Sequence, residues 1–167
     1  MDNNVSFRVH KDELADAAAW VARSLPTKST QPVLRAVVIT ADDNGLEFAG
    51  FDYEVSTRVR IGAEVNDPGR VAVAGKLLAD IVGTMPNDAI EVSTDSKVMT
   101  LKARSSRFEL PLIALDDYPQ LPHLPEVTGR ISPAALTGAV TQVASAAGRD
   151  DTLPMLTGIH LEIDGCL

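Results

Sequence analysis

Between Lys11 and Leu25 the apolar residues Leu14, Ala18, Val21 and Leu25 recur at three-and-four spacing, which gathers them on one stripe of an α-helix. Asp12 and Glu13 fall in its first turn and Arg23 in its last, the order the helix dipole favours. Pro26 stops it. After a polar loop, Thr27–Gln31, the period changes to two. Val33, Val37, Ile39 and Ala41 then share one face of a predicted strand over 33–41. Asp42-Asp43-Asn44-Gly45 reads as a tight turn, and Leu46–Gly50 as the returning strand. Phe51, Tyr53, Val55, Thr57, Val59 and Ile61 alternate with polar residues, predicting one long half-buried strand. A turn at Asn66–Gly69 and a short strand over 70–74 follow. Leu77, Leu78, Ile81 and Met85 predict a second helix over 76–85, ended by Pro86. Three strands, 89–94, 98–103 and 107–112, complete the series, and Val5–Val9 supplies a short strand ahead of the first helix.

The chain therefore writes strand, helix and three strands twice, an α+β arrangement of antiparallel sheets with two helices. A larger repeat overlies this one. Pro32 to Asp42 recurs as Pro154 to Asp164, displaced by 122 positions, and Leu14, Ala18, Val21 and Leu25 fall on Leu136, Val140, Val143 and Ala147. Pro119, Pro122 and Pro125 mark an aperiodic connector between the copies. Ser132-Pro133 is a helix start, with serine at the cap and proline in the first turn. The expected organisation is a disordered tail over 1–6, a complete first domain over 7–115, a connector over 116–128, and the opening of a second domain over 129–167. A helix and one strand cannot bury their apolar faces alone, so the repeat predicts a piece of a longer chain.

Composition narrows the classes. No apolar run approaches the ~18 residues of a membrane span, and no basic segment precedes an apolar core near Met1. A single cysteine, Cys166, leaves no disulfide framework, so a reducing cytoplasm is the expectation. The net charge of −8 argues against nucleic acid unless basic residues gather on one face. Catalytic patterns are wanting. Gly69 to Leu77 resembles a phosphate loop but has five residues between its glycines and leucine where magnesium needs a hydroxyl. His10, His123 and His160 lack ligand spacing, and Asp42, Asp43 and Asp67 are turn formers rather than an acid–base pair.

Gln31-Pro32-Val33-Leu34, Gly50-Phe51-Asp52-Tyr53-Glu54, Ser106-Arg107-Phe108, Asp117-Tyr118-Pro119 and Gly148 to Gly158 together resemble, in order, the bacterial DNA polymerase III β subunit family of sliding clamps. The resemblance implies a head-to-tail homodimeric ring of similar DNA-clamp domains, sheets outside and helices around duplex DNA, without catalysis, cofactor or metal. It implies partnership with the replicative DNA polymerase, the clamp loader and other clamp-motif proteins. By position it implies DNA contact for Arg23, Lys28 and Arg149. It implies a partial partner-peptide pocket at Met155 and Leu156, and a dimer interface at Lys76, Arg107 and Leu110. Gly75 stands where some family members carry arginine, with Lys76 beside it. The alternative is an α+β protein-interaction domain with no DNA role. The arrangement of Arg23, Lys28 and Arg149 discriminates between them.

Overall fold

The computed structural model describes residues 4–27, 31–116, 118–150 and 152–162. They form two compact units, one running through Pro122 and the other starting at His123. Each is taken separately.

The first unit contains β1 (Ser6–His10), α1 (Lys11–Ser24), β2 (Ala36–Asp42), β3 (Gly45–Phe51), β4 (Ser56–Ile61), β5 (Glu64–Asp67), β6 (Gly69–Ala74), α2 (Gly75–Thr84), β7 (Ala89–Thr94), β8 (Val98–Ala103) and β9 (Ser106–Pro111). A 3₁₀ turn, Pro32–Arg35, precedes β2. The strands make two antiparallel sheets, of order β5-β1-β7-β8-β9 and β4-β3-β2-β6. Each half of the repeated pattern gives its first strand to the sheet built by the other half's three strands: β1 joins β7-β8-β9, and β6 joins β4-β3-β2. That exchange ties the halves into one domain. Near the β6–β9 edges the sheets touch through a bridge between Val73 and Leu112, and Ile113 N–H donates to Ala72 O at 2.8 Å.

The register explains the core. Opposed residues across β2, β3 and β6 place Val37, Ile39, Leu46, Phe48, Val71 and Val73 on one face, where all are buried. Phe7, Val9, Ile90, Val92, Met99, Leu101 and Leu110 do the same for the five-stranded sheet. Leu14, Ala18 and Val21 of α1 and Leu78 and Val82 of α2 join this one cluster. α1 thus buries the stripe its spacing predicted, whereas α2 buries Leu78 and Val82, with Met85 just past its end, and leaves the expected Leu77 43% exposed.

Five readings change. The strand expected over 33–41 begins only at Ala36, because Pro32–Arg35 form the 3₁₀ turn, and Val33 packs against the cluster of Ala36, Val38 and Ala72 rather than with Val37. The long strand expected over 51–61 is two strands. The Asp52 carboxylate accepts the N–H groups of Glu54 and Val55 at 3.1 and 2.7 Å, and Tyr53 takes a left-handed φ of 75°. Alternation runs on through this turn, so the period alone hides the break. β5 runs into the first half of the turn expected at Asn66–Gly69, and it pairs with β1, a partner some sixty residues away. The ordered fold also begins inside the expected tail: Val5 is fully buried, and its N–H donates to Thr94 Oγ1 at 2.8 Å. Finally, the first part of the expected connector packs rather than swings. Tyr118 is buried with Ala36, Val38 and Ala72 on the outer face of the four-stranded sheet, flanked by Ile113, Leu115 and Leu121. Arg58 fixes the end of this strap by donating to Pro122 O at 2.6 Å.

The second unit holds α3 (Pro133–Ala144) and a 3₁₀ turn, Pro154–Leu156. Its elements keep the displacement of 122: Lys11, which opens α1, maps to Pro133, and Pro32, which opens the earlier 3₁₀ turn, maps to Pro154. The strand expected after Pro154 does not form among the described residues. A strand exists through its neighbours' hydrogen bonds, and β2 has β3 and β6 beside it while residues 157–162 have no counterparts among the described residues. The apolar stripe of α3 stays open for the same reason. Leu136, Val140 and Val143 are 37, 40 and 48% exposed, whereas Leu14, Ala18 and Val21 are at most 1% exposed.

Candidate nucleic-acid interface

The helices of the first unit run antiparallel, and two contacts establish it. Just past α1, Leu25 lies against Gly75 at the start of α2. At the other end Lys11 N–H donates to Asp88 O, just past α2, at 3.0 Å. The outward faces carry Asp12, Glu13, Asp16, Trp20 and Arg23 on α1, and Lys76, Leu77 and Asp80 on α2, all exposed.

Ion pairing sorts the basic side chains. Arg60 is committed to Asp42 at 2.7 Å and to Glu47 at 3.4 Å on the outer face of the four-stranded sheet. Its hydrogen bond, backed by the Asn44 N–H, holds the Asp42 carboxyl below its ordinary value. Arg104 is committed to Asp88 at 2.8 Å, and Arg107 to Glu109 at 2.5 Å. Arg23 is exposed and donates only weakly, to Ala19 O of its own helix at 3.4 Å.

The predicted contacts fall as follows. Arg23 stands on the outward face of α1. Lys28 lies outside the described residues. Arg149 is exposed in the second unit, in the loop after α3. There Asp150 accepts from the Thr152 hydroxyl at 2.7 Å and the Thr152 N–H at 3.0 Å, which together lower its pKa. Met155 is 93% exposed and Leu156 62%; the Leu156 carbonyl accepts from Gly148 N–H at 2.7 Å and closes the loop. Lys76 is exposed in the first turn of α2, and Arg107 is exposed on β9, an edge strand of its sheet.

Leu110 is placed differently from Arg107: its side chain is 0% exposed, inside the core. Residues three apart on a strand point to opposite faces, so Arg107 and Leu110 cannot share one. Glu109 and Pro111, in phase with Arg107, are the exposed neighbours on β9. Sequence parity carried that signal. The Gly75 position is also constrained: a Cβ there would overlap Leu25 Cδ1, so a side chain at that point requires Leu25 to move.

Among the described residues no group of three or more His, Cys, Asp or Glu is gathered to hold a metal ion. Nor is any helix among them long and apolar enough to cross a membrane.

Two interlocked halves, each with a helix set against antiparallel strands, define a pseudo-symmetric α+β domain with an exposed polar helical face and open sheet edges. The chain belongs to the DNA polymerase III beta subunit family: the family model for the N-terminal domain of that subunit matches residues 5–122. It is 48% identical to the beta sliding clamp of Streptomyces coelicolor over 161 residues, which is 96% of this chain and 43% of that protein. It is 44% identical to the beta sliding clamp of Micrococcus luteus, over 96% of this chain and 52% of that protein. The crystal structure of the DNA polymerase III subunit beta from Pseudomonas aeruginosa superposes with a TM-score of 0.82 at 26% identity, covering 96% of this chain and 44% of that one. The chain thus spans about half the length of the curated relatives it matches.

Proposed function

We propose that this chain acts as part of a sliding clamp, a non-catalytic ring that encircles duplex DNA and makes the replicative polymerase processive in the bacterial cytoplasm. Residues 7–115 with their strap serve as the first clamp domain, and residues 129–167 as the opening of a second, joined through the 116–128 segment. Arg23, Lys28 and Arg149 contact phosphates without reading bases, which suits a protein that must slide. Met155 and Leu156 contribute to the surface that receives peptides of the polymerase, the clamp loader and other clamp-motif proteins. Arg107, on the β9 edge, takes part in subunit pairing of the homodimeric ring.

The observation that carries this reading is the 122-residue repeat of helix and 3₁₀ turn in a chain of this family, since a closed ring is built from copies of one unit. Duplex binding tests it. The chain is expected to bind duplexes of unrelated sequence equally, with affinity falling steeply as salt rises. Sequence-selective binding, or none at low salt, would instead favour an interaction domain without a DNA role.

A further inference from the structure

On the outer face of the four-stranded sheet the register sets Val38 between Ala49 and Ala72, with Ala36 two residues along β2 on the same face. All four are buried, yet none belongs to the main core that the helices share. Alanines around one valine make a low apolar floor. The next row, Thr40 with Glu47 and Arg70, is polar and bounds it.

The cover on this floor is the strap, Ile113–Pro122. Among its described residues it adds no strand to the sheet, and Pro119 and Pro122 have no N–H to give. Its ends are pinned: Ala72 O accepts from Ile113 N–H, and Pro122 O accepts from Arg58. Between the pins it is held through Leu115, Tyr118 and Leu121, and Tyr118 is the most deeply buried of them. An aromatic ring carries the largest apolar area of any such anchor. A cover held by side chains rather than by a ladder can be exchanged for another segment that carries the same side chains. Tethering protects it, because a short linker keeps the strap at an effective concentration of the order of millimolar. A free competitor at lower concentration loses while the strap is seated.

We propose that the outer face of the four-stranded sheet is a peptide-binding groove that the chain keeps closed with its own strap. Its ligand is an extended segment with an aromatic residue and, three positions later, a leucine, each followed by proline, as in Tyr118-Pro119-Gln120-Leu121-Pro122. Release of the strap opens the groove. The repeat points the same way. Val33, packed in this cluster, falls on Met155, which is 93% exposed, so one position is under cover in the first unit and open in the second. The groove belongs to the first unit alone and needs neither DNA nor ring closure.

The test is fluorescence anisotropy of a labelled synthetic peptide with the sequence of residues 113–122, titrated with the 167-residue chain. Parent, Tyr118→Ala, Tyr118→Phe, Arg58→Ala and a Tyr118→Ala/Ala72→Glu double variant are compared, each first checked for a cooperative melting curve. The parent is expected to bind weakly. Tyr118→Ala removes the anchor and leaves the floor intact, and Arg58→Ala frees the Pro122 end. Each is expected to raise affinity by about tenfold or more as the tethered competitor is lost. Tyr118→Phe keeps the ring and should stay at the parental level. Ala72→Glu puts a charge on the floor and should return the Tyr118→Ala protein to parental binding. If neither Tyr118→Ala nor Arg58→Ala binds more tightly than the parent, or if Ala72→Glu leaves the gain untouched, the proposal is overturned. Should Tyr118→Ala fail to fold, Arg58→Ala, alone and with Ala72→Glu, decides by the same outcomes.

Discussion

Replacing Gly75 with alanine sets a methyl group into the space held by Leu25 Cδ1. Leu25 is 4% exposed and seated in a notch made by two glycines, for its Cδ2 lies 2.8 Å from where a Gly50 Cβ would be. Moving one methyl off Gly75 therefore drives the other toward Gly50, whose site also meets Val21 Cγ1 at 3.0 Å. If Leu25 stays, the overpacking costs about 1–3 kcal/mol. If it swings into solvent, the lost burial costs about 1.5–3 kcal/mol. The alanine returns at most ~1 kcal/mol of helix propensity, and less in a first turn. The expected net loss is about 1–2 kcal/mol, or roughly 3–6 °C in Tm for a domain of this size. Urea unfolding can be followed by Trp20, the chain's one tryptophan. A double-mutant cycle isolates the cause. Leu25→Ala alone is expected to cost about 2–5 kcal/mol. With Gly75→Ala added, the new methyl occupies the vacated space, and the total falls short of the sum by about 1 kcal/mol or more. Additive losses, or a Gly75→Ala protein as stable as the parent, would refute the notch.

Equivalent positions of the repeat give a contrast: Leu14→Ala removes a buried side chain and should cost about 2–5 kcal/mol, while Leu136→Ala, on the open face of α3, should cost under about 0.5 kcal/mol by the same denaturation curve. Gly45→Ala should exceed Gly75→Ala in cost, because its φ of 106° disfavours any Cβ and the atom in the way is the backbone oxygen of Ile61, which cannot turn aside. Asp42 is held below its ordinary pKa of 3.8 first by the Arg60 hydrogen bond, so its contribution to stability is present above that value and lost as pH falls through the lower folded one. In Arg60→Ala the Asp42 carboxyl should titrate higher, toward 3.8, by NMR, and an unmoved titration would exclude Arg60 as the cause. On a sizing column the 167-residue chain is expected to run without a stable closed dimer, and a stable one would contradict the need for further copies of the unit.

Much of the fold was legible because it is local. The helix predicted over 11–25 is α1 at Lys11–Ser24, and the strands predicted over 89–94, 98–103 and 107–112 are β7, β8 and β9 within a residue. The candidate site was less legible. Arg23 and Lys76 could be placed on helices, but their nearness to each other comes from Leu25 packing on Gly75, residues fifty positions apart.

Periodicity, turn residues and caps are short-range properties, so the sequence alone determined the type of nearly every element, the inward face of α1 and of most strands, and the 122-residue repeat. Tertiary structure decided what lies across from each element. It paired β5 with β1, laid Tyr118 over the four-stranded sheet, and brought the end of α1 to the start of α2. The same stripe that is core in α1 is open surface in α3. Apolar spacing fixes which side of a helix seeks cover, but burial requires a second surface, and that is supplied from elsewhere in the fold.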